Sequence, residues 1–331
     1  MATSQPSAEG HLSLTPMGPG DLIDRAVRFY RKNFGTFVAI ATPPVLVGAL
    51  FSVAWTLIGR GVFSPATAAG ADDRFSYYLF TWFGNGVIWL VETIATLVVM
   101  GGASRNFVRH LLFGEPISFK ETYRNTAGRF AGLLAASTAI TISLGTIGFI
   151  LFYFGLIITT LSLLIVVSLL ASIPLVATII SVVVAVSLAY LTLWLFFLIA
   201  SRFAYVPQVM LVEGQGIFSA VGRSATLAGG SVKRLMALFV FSTVAAYSAL
   251  AILYVPLAWY AWSVGVELMT FDAELIPAWY EIAYNMIWQI SFILLSPVWT
   301  AGLCLLYVDE RVRSEGYDIE LMAARRLGEI P

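Results

Sequence analysis

The sequence predicts an all-α integral membrane protein with six transmembrane helices, in three repeats of an interfacial helix followed by a helical hairpin. Three observations predict it. Of the 331 residues 59% are hydrophobic and only 11% are charged, with a mean hydropathy of +0.86, whereas a soluble domain carries roughly 25% charge. Uncharged runs long enough to cross a bilayer core about 30 Å thick recur along the chain. Lysine and arginine gather on one side of those runs, the side expected to face the cytoplasm.

Residues 1–17 are polar and rich in Ser, Pro and Gly, with no basic stretch leading into an apolar one, so they read as a flexible cytoplasmic tail and not as a secretory signal. Residues 18–331 read as a single polytopic membrane domain. It opens with an amphipathic helix. Leu22, Ile23, Ala26, Phe29, Tyr30 and Phe34 share one face, while Asp21, Asp24, Arg25, Arg28, Arg31 and Lys32 share the other. Pro19 suits the first turn, and Asp21 with Arg25 and Asp24 with Arg28 have the favourable i,i+4 order. Such a helix can lie in the membrane interface.

The first span is predicted over 36–59, re-aimed near its start by Pro43 and Pro44, and the second over 77–103. A second interfacial helix follows from Ser118, which with Glu121 forms an S-x-x-E capping box. Phe119, Tyr123, Ala127 and Phe130 make its apolar stripe, and Lys120, Arg124 and Arg129 its polar side.

Residues 130–201 contain no Asp, Glu, Lys, Arg or His. Wholly helical, they would be roughly 108 Å long, enough for three ordinary spans or two long ones. Charge decides. Two spans put every Lys and Arg except Arg60 and Arg74 on one side, whereas three would invert everything after Ser201. The surplus around 162–174 is expected to form an apolar outer turn or a re-entrant piece. A third, weaker interfacial helix runs from Gly216 through Val221 and Arg223 to Arg234. The last spans are 235–262 and 282–307, joined by an outer connection that carries Glu267, Asp272, Glu274 and Glu281 but no Lys or Arg. Tyr77, Tyr78, Trp82, Trp259, Tyr260, Trp262, Trp279 and Tyr280 mark the outer interface. The tail 309–331 mixes both signs and is expected to continue the last helix and fold against the basic interfacial helices.

The order of three motifs resembles the glycerophosphoryl diester phosphodiesterase membrane domain family. They are Leu22-Ile23-Asp24-Arg25-Ala26-Val27-Arg28-Phe29-Tyr30-Arg31-Lys32-Asn33-Phe34; Val212-Glu213-Gly214-Gln215-Gly216 with Ala220-Val221-Gly222-Arg223-Ser224; and a closing stretch from Leu305 through Tyr307-Val308-Asp309-Glu310-Arg311-Val312-Arg313 to Glu320. After Ser224 this chain has Ala225, Thr226, Leu227 and Ala228 where family members often carry aromatic and basic residues. The resemblance implies a membrane module that is sometimes fused to a soluble phosphodiesterase barrel. Such a barrel needs about 250 residues, and no soluble stretch here approaches that.

Chemical motifs are sparse. Cys304 is the single cysteine, and His11 and His110 lie far apart, so neither a disulfide framework nor a zinc site is expected. Gly18-Pro19-Gly20-Asp21 matches a G-x-G-D string, but no second aspartate lies within a span. There is no H-E-x-x-H, Walker loop or G-x-S-x-G. Glu92 is the one ionisable residue deep in a span. It reads as a proton- or cation-handling carboxylate, or as a protonated side chain bonded to a neighbouring helix. Asn285 and Gln289 are its polar candidates on the last span. Residue counting leaves about 10 Å between the depths of Glu92 and Gln289, so a direct bond is not expected unless the helices shift or a water intervenes.

The functional expectation is a non-enzymatic scaffold or accessory subunit of a bacterial cytoplasmic membrane, with both termini cytoplasmic. No cofactor or nucleic acid is expected. Its partners would be membrane lipids and possible protein subunits, met through Arg25, Arg28, Arg31, Lys32, Lys120, Arg124, Arg129, Asp309, Arg311 and Arg313. The alternative is a small-solute or proton-coupled transporter or channel using Glu92.

Overall fold

A computed structural model describes residues 17–63, 71–230, 232–266 and 277–316, with backbone only for 71–74. The expectations for the tail 1–16, Arg74, Glu267, Asp272, Glu274 and the tail beyond Gly316 lie outside the described residues or side chains.

Six helices are long and apolar enough to cross a membrane, which suggests a multi-pass membrane protein. They are built on α2 (Phe34–Val62), α3 (Ala71–Phe113), α5 (Phe130–Leu169), α6 (Pro174–Ala200), α9 (Val232–Ser263) and α10 (Ala278–Glu315). Shorter helices α1 (Pro19–Lys32), α4 (Phe119–Gly128) and α8 (Ile217–Leu227) precede α2, α5 and α9. A single turn, α7 (Val206–Gln208), runs into a wider π turn over Val209–Glu213.

Residues 130–200 form two long helices, as expected. α5 runs unbroken to Leu169, and residues 170–173 turn directly into α6, with no re-entrant piece. The last helix continues past Asp309 to Glu315 and packs against α1, as expected of the start of the tail. Met17, placed in the tail by its sequence neighbours, is buried at the head of α1.

α2, α3 and α10 pack on one another, with α1 lying across α10 and α9. The core at this end is aromatic: Phe37 sits between Phe29 and Phe107 at ring-centroid distances of 5.4 and 4.6 Å. Of the predicted apolar face of α1, Leu22, Ala26 and Tyr30 are buried, Ile23 and Phe29 are half-buried, and Phe34 is exposed. Asp21 caps its own helix, accepting from the Gly18 backbone N–H at 3.2 Å; among the described residues Asp24 and Arg28 form no ion pair.

The capping box expected at Ser118 does not form: Ser118 makes no side-chain cap bond. Its carbonyl accepts from Thr122 Oγ1 at 3.0 Å and from Asn106 Nδ2 of α3 at 3.4 Å. Asn106 also donates to Thr122 Oγ1 at 3.0 Å and accepts from Asn125 Nδ2 at 2.8 Å. Thr126 fills the space over Gly102, where an added Cβ would lie 1.8 Å from Thr126 Oγ1. Side-chain bonds to α3 thus seat α4.

Proline decides how two short helices attach to long ones. Pro44 has no N–H for the carbonyl four residues back, that of Ile40. The Tyr123 hydroxyl on α4 donates to that carbonyl at 3.1 Å. Pro297 likewise disturbs the α10 ladder at Ile293, and the Tyr30 hydroxyl on α1 donates to the adjoining carbonyl of Leu294. Burial pushes both phenols up to about 12, so each remains a protonated donor at neutral pH.

Tyr30→Phe and Tyr123→Phe remove one donor each while keeping the ring. Each is expected to lower stability by about 1 kcal/mol, measured by thermal unfolding in lipid nanodiscs, with the two losses additive because the carbonyls lie on different helices.

Candidate functional site

The most heavily charged interior region lies where the ends of α1, α8, α9 and α10 meet. Arg234, expected on the third amphipathic helix, is instead in the first turn of α9 and only 8% exposed. Its two terminal nitrogens pair with Asp309 Oδ2 and Glu310 Oε1. Asp309 Oδ1 accepts from the Met17 backbone N–H at 2.9 Å, and its Oδ2 accepts from Arg313 Nε at 2.8 Å. Arg313 Nη2 in turn donates to the Met17 carbonyl at 2.9 Å. One carboxylate therefore joins the residues before α1 to the start of α9 and the end of α10.

A second layer adjoins it. Gly214 takes the left-handed conformation, φ 76°, that closes the π turn behind Glu213. Glu213 Oε1 accepts from the Tyr307 hydroxyl at 2.8 Å. Its Oε2 accepts from Arg223 Nε at 3.1 Å and Gln215 Nε2 at 3.0 Å. Arg223 also pairs with Glu315, which Arg311 holds at 3.2 Å. Burial works against the Arg223 charge, but Glu213 and Glu315 outweigh it and raise its pKa. Arg129 donates to the Met210 carbonyl at 2.9 Å, bringing α5 to the same turn.

This arrangement places one candidate surface residue in the interior and brings others beside it. Asp309 is 3% exposed and sits in the interior cluster, held by Arg234 and the Met17 amide. Arg311 and Arg313 join the same cluster. Arg28, Arg31, Lys32, Lys120 and Arg124 are exposed, whereas Arg25 is half-buried. Arg234, Glu213 and Glu310 were not singled out as site residues. Their signal was available in carboxylates and arginines of opposite sign placed just past the ends of apolar runs.

The second polar centre is Glu92, 7% exposed on α3. Its Oε2 accepts from Gln289 Nε2 on α10 at 3.1 Å, so the direct bond that residue counting argued against is made. Counting treats helices as upright and side chains as lengthless. Here α2, packed on both helices, presents Gly48, where a Cβ would fall 2.7 Å from Glu92 Oε2. The missing side chain leaves the space that the Glu92 carboxyl occupies beside Gln289. Asn285 is not brought to Glu92; it is half-buried and, among the described residues, has no hydrogen-bond partner. The Gln289 Oε1 and the hydroxyls of Thr56 and Thr96 are buried without partners.

At the opposite end of the bundle Arg60 pairs with Glu281 at 2.8 Å, and Tyr77 donates to the same carboxylate at 3.4 Å. Among the described residues no group of three His, Cys, Asp or Glu side chains is placed to hold a metal. No family model, curated protein or solved structure matches the chain.

Arg234→Met leaves Asp309 and Glu310 buried without their shared cation and is expected to destabilise by about 3–5 kcal/mol. Adding Glu310→Leu should recover part of that loss in the same denaturation assay. Gly48→Ala forces Glu92 off its partner, with an expected loss of about 1–3 kcal/mol.

Proposed function

We propose that the chain is a non-enzymatic scaffold or accessory subunit of a bacterial cytoplasmic membrane, with α1, α4 and α8 at the cytoplasmic interface. The observation that carries the reading is the α5–α6 hairpin. Of the most apolar part of each span, none is buried in α5 and 6% in α6, against 56% in α10. α5 has 40 residues, about 60 Å of helix, against an apolar bilayer thickness of about 30 Å. Submerging it would need a tilt near 60°, beyond the usual limit of about 40°. A hairpin with no charge along either arm, left uncovered by its own chain and too long for the lipid core, fits a surface that another membrane protein covers.

Lipid association has separate support. Exposed Arg28, Arg31 and Lys32 on α1, and Lys120 and Arg124 on α4, lie near exposed Phe34, Phe119 and Phe130. Phe218 on α8 is 94% exposed. Cations beside apolar rings suit anionic headgroups over an acyl boundary. The motifs that resemble the glycerophosphoryl diester phosphodiesterase membrane domain family also support reading the chain as a membrane module of that kind, since the middle and closing motifs supply Glu213, Arg223, Asp309, Glu310 and Glu315 to one cluster. Transport through Glu92 would require water to reach a carboxyl that Gly48 and Gln289 now enclose.

A photo-crosslinker at Leu164 or Val183 in the native membrane is expected to capture one protein at fixed stoichiometry, while the same group at Leu50, equally exposed but on α2, captures mainly lipid. Lipid adducts alone from all three positions would reject the scaffold reading. Ordered water reaching Glu92 in the same nanodisc sample would favour transport.

A further inference from the structure

We propose that Glu92 binds a proton within the bundle, as a neutral carboxylic acid held by Gln289 in a two-point acid–amide pair. In that pair Gln289 Nε2–H donates to one carboxyl oxygen and the carboxyl O–H donates to Gln289 Oε1. The proposal rests on the long helices lying in a bilayer and is independent of the scaffold reading.

Two observations point to it. The first is the bond already present, Gln289 Nε2 to Glu92 Oε2 at 3.1 Å. The second is the other half of the same amide: Gln289 is 7% exposed, and its Oε1 is buried with no partner. An ionised carboxylate has only acceptor oxygens and can never satisfy that atom. A protonated one carries the O–H that Oε1 lacks.

The surroundings offer an ionised Glu92 little else. α2 faces it with Gly48. The one charged residue of α2, Arg60, lies about three turns from Gly48 and is engaged by Glu281. On α3 the nearest cation is Arg105, and on α10 the nearest charge toward the other end is Glu281. A carboxylate at this depth would rest on one amide N–H, in a solvent that penalises bare charge. The proton removes the charge and the orphaned acceptor together. It also ties α3 to α10 with two bonds beside Gly48 of α2, which makes the proton a component of the three-helix packing.

Infrared spectroscopy of the full chain in lipid at neutral pH tests this. The wild type is expected to show a protonated-carboxyl C=O band that disappears in Glu92→Gln and moves to higher frequency in Gln289→Leu, which removes both bonds. Glu92→Gln can rebuild the pair as amide to amide, so its Tm should stay within about 3 °C of wild type, whereas Glu92→Leu should melt clearly lower. A Glu92→Gln difference spectrum that loses carboxylate bands instead overturns the proposal. If Glu92→Gln fails to fold, an unmoved band in folded Gln289→Leu also overturns it.

Discussion

Arg234 carries a guanidinium into the protein at the mouth of α9, and a cation so buried must be answered by carboxylates at the same depth. Asp309 and Glu310 answer it from consecutive positions on α10. Consecutive residues on a helix point about 100° apart, so gripping both fixes the rotation of α10 as well as its position. Asp309 also holds the Met17 amide, which sets where α1 begins. From that point α1 crosses α10, places Tyr30 on the carbonyl of Leu294 and sets Phe29 against Phe37 and Phe107. The placement of α1, α9 and α10 depends on charges that the apolar interior cannot leave unpaired.

The same requirement operates deeper in the bundle at smaller scale. Where proline removes a ladder bond, a tyrosine from a short helix supplies the donor, as at Ile40. Where a polar side chain lies against a neighbouring helix, a glycine makes room, as Gly48 does for Glu92 and Gly102 for Thr126. Close approach and polar bonding occur at the same positions. Gly302 against Leu238 is the apolar version, bringing α10 onto α9 without any bond.

Length, hydropathy and charge made the long helices legible. The choice of two helices within 130–201 came from the arginines that follow, because a third crossing would have put Arg202, Arg223, Lys233 and Arg234 on the wrong side. The faces of α1 were legible from periodicity, as the burial of Leu22, Ala26 and Tyr30 bears out. The bonds between helices were not. Ser118 and Glu121 form a valid local capping pattern, but the bonds that seat α4 join Asn106, 12 residues before Ser118 on another helix, to Thr122 and Asn125. Gln289 was legible as a polar candidate on the last span. Its partnership with Glu92 depends on a gap in α2 that neither α3 nor α10 encodes. In the sequence Asp309 is one charge in a mixed tail; Met17 and Arg234, both far from it along the chain, hold it inside.

The molecule divides into a half whose geometry is specified and a half whose geometry is not. α1, α2, α3 and α10 meet through ion pairs, amides, hydroxyls and tight glycines, each of which accepts few arrangements. α5 and α6 carry no charged group, and their hydroxyls mostly bond their own helix, as Thr159, Thr160 and Thr178 do. Near the hairpin's roots Leu133, Ala136, Phe197 and Ala200 are buried, and Ile140, Leu144, Leu193 and Phe196 pack against the core. Beyond them the two arms hold each other, with Gly148 under Phe196 and Gly155 under Thr192. Such a hairpin keeps its internal register, and its angle to the rest of the bundle rests on apolar packing near its roots, where Phe197 meets Phe239 at 4.9 Å and Ile140, Leu144 and Leu193 lie against the core.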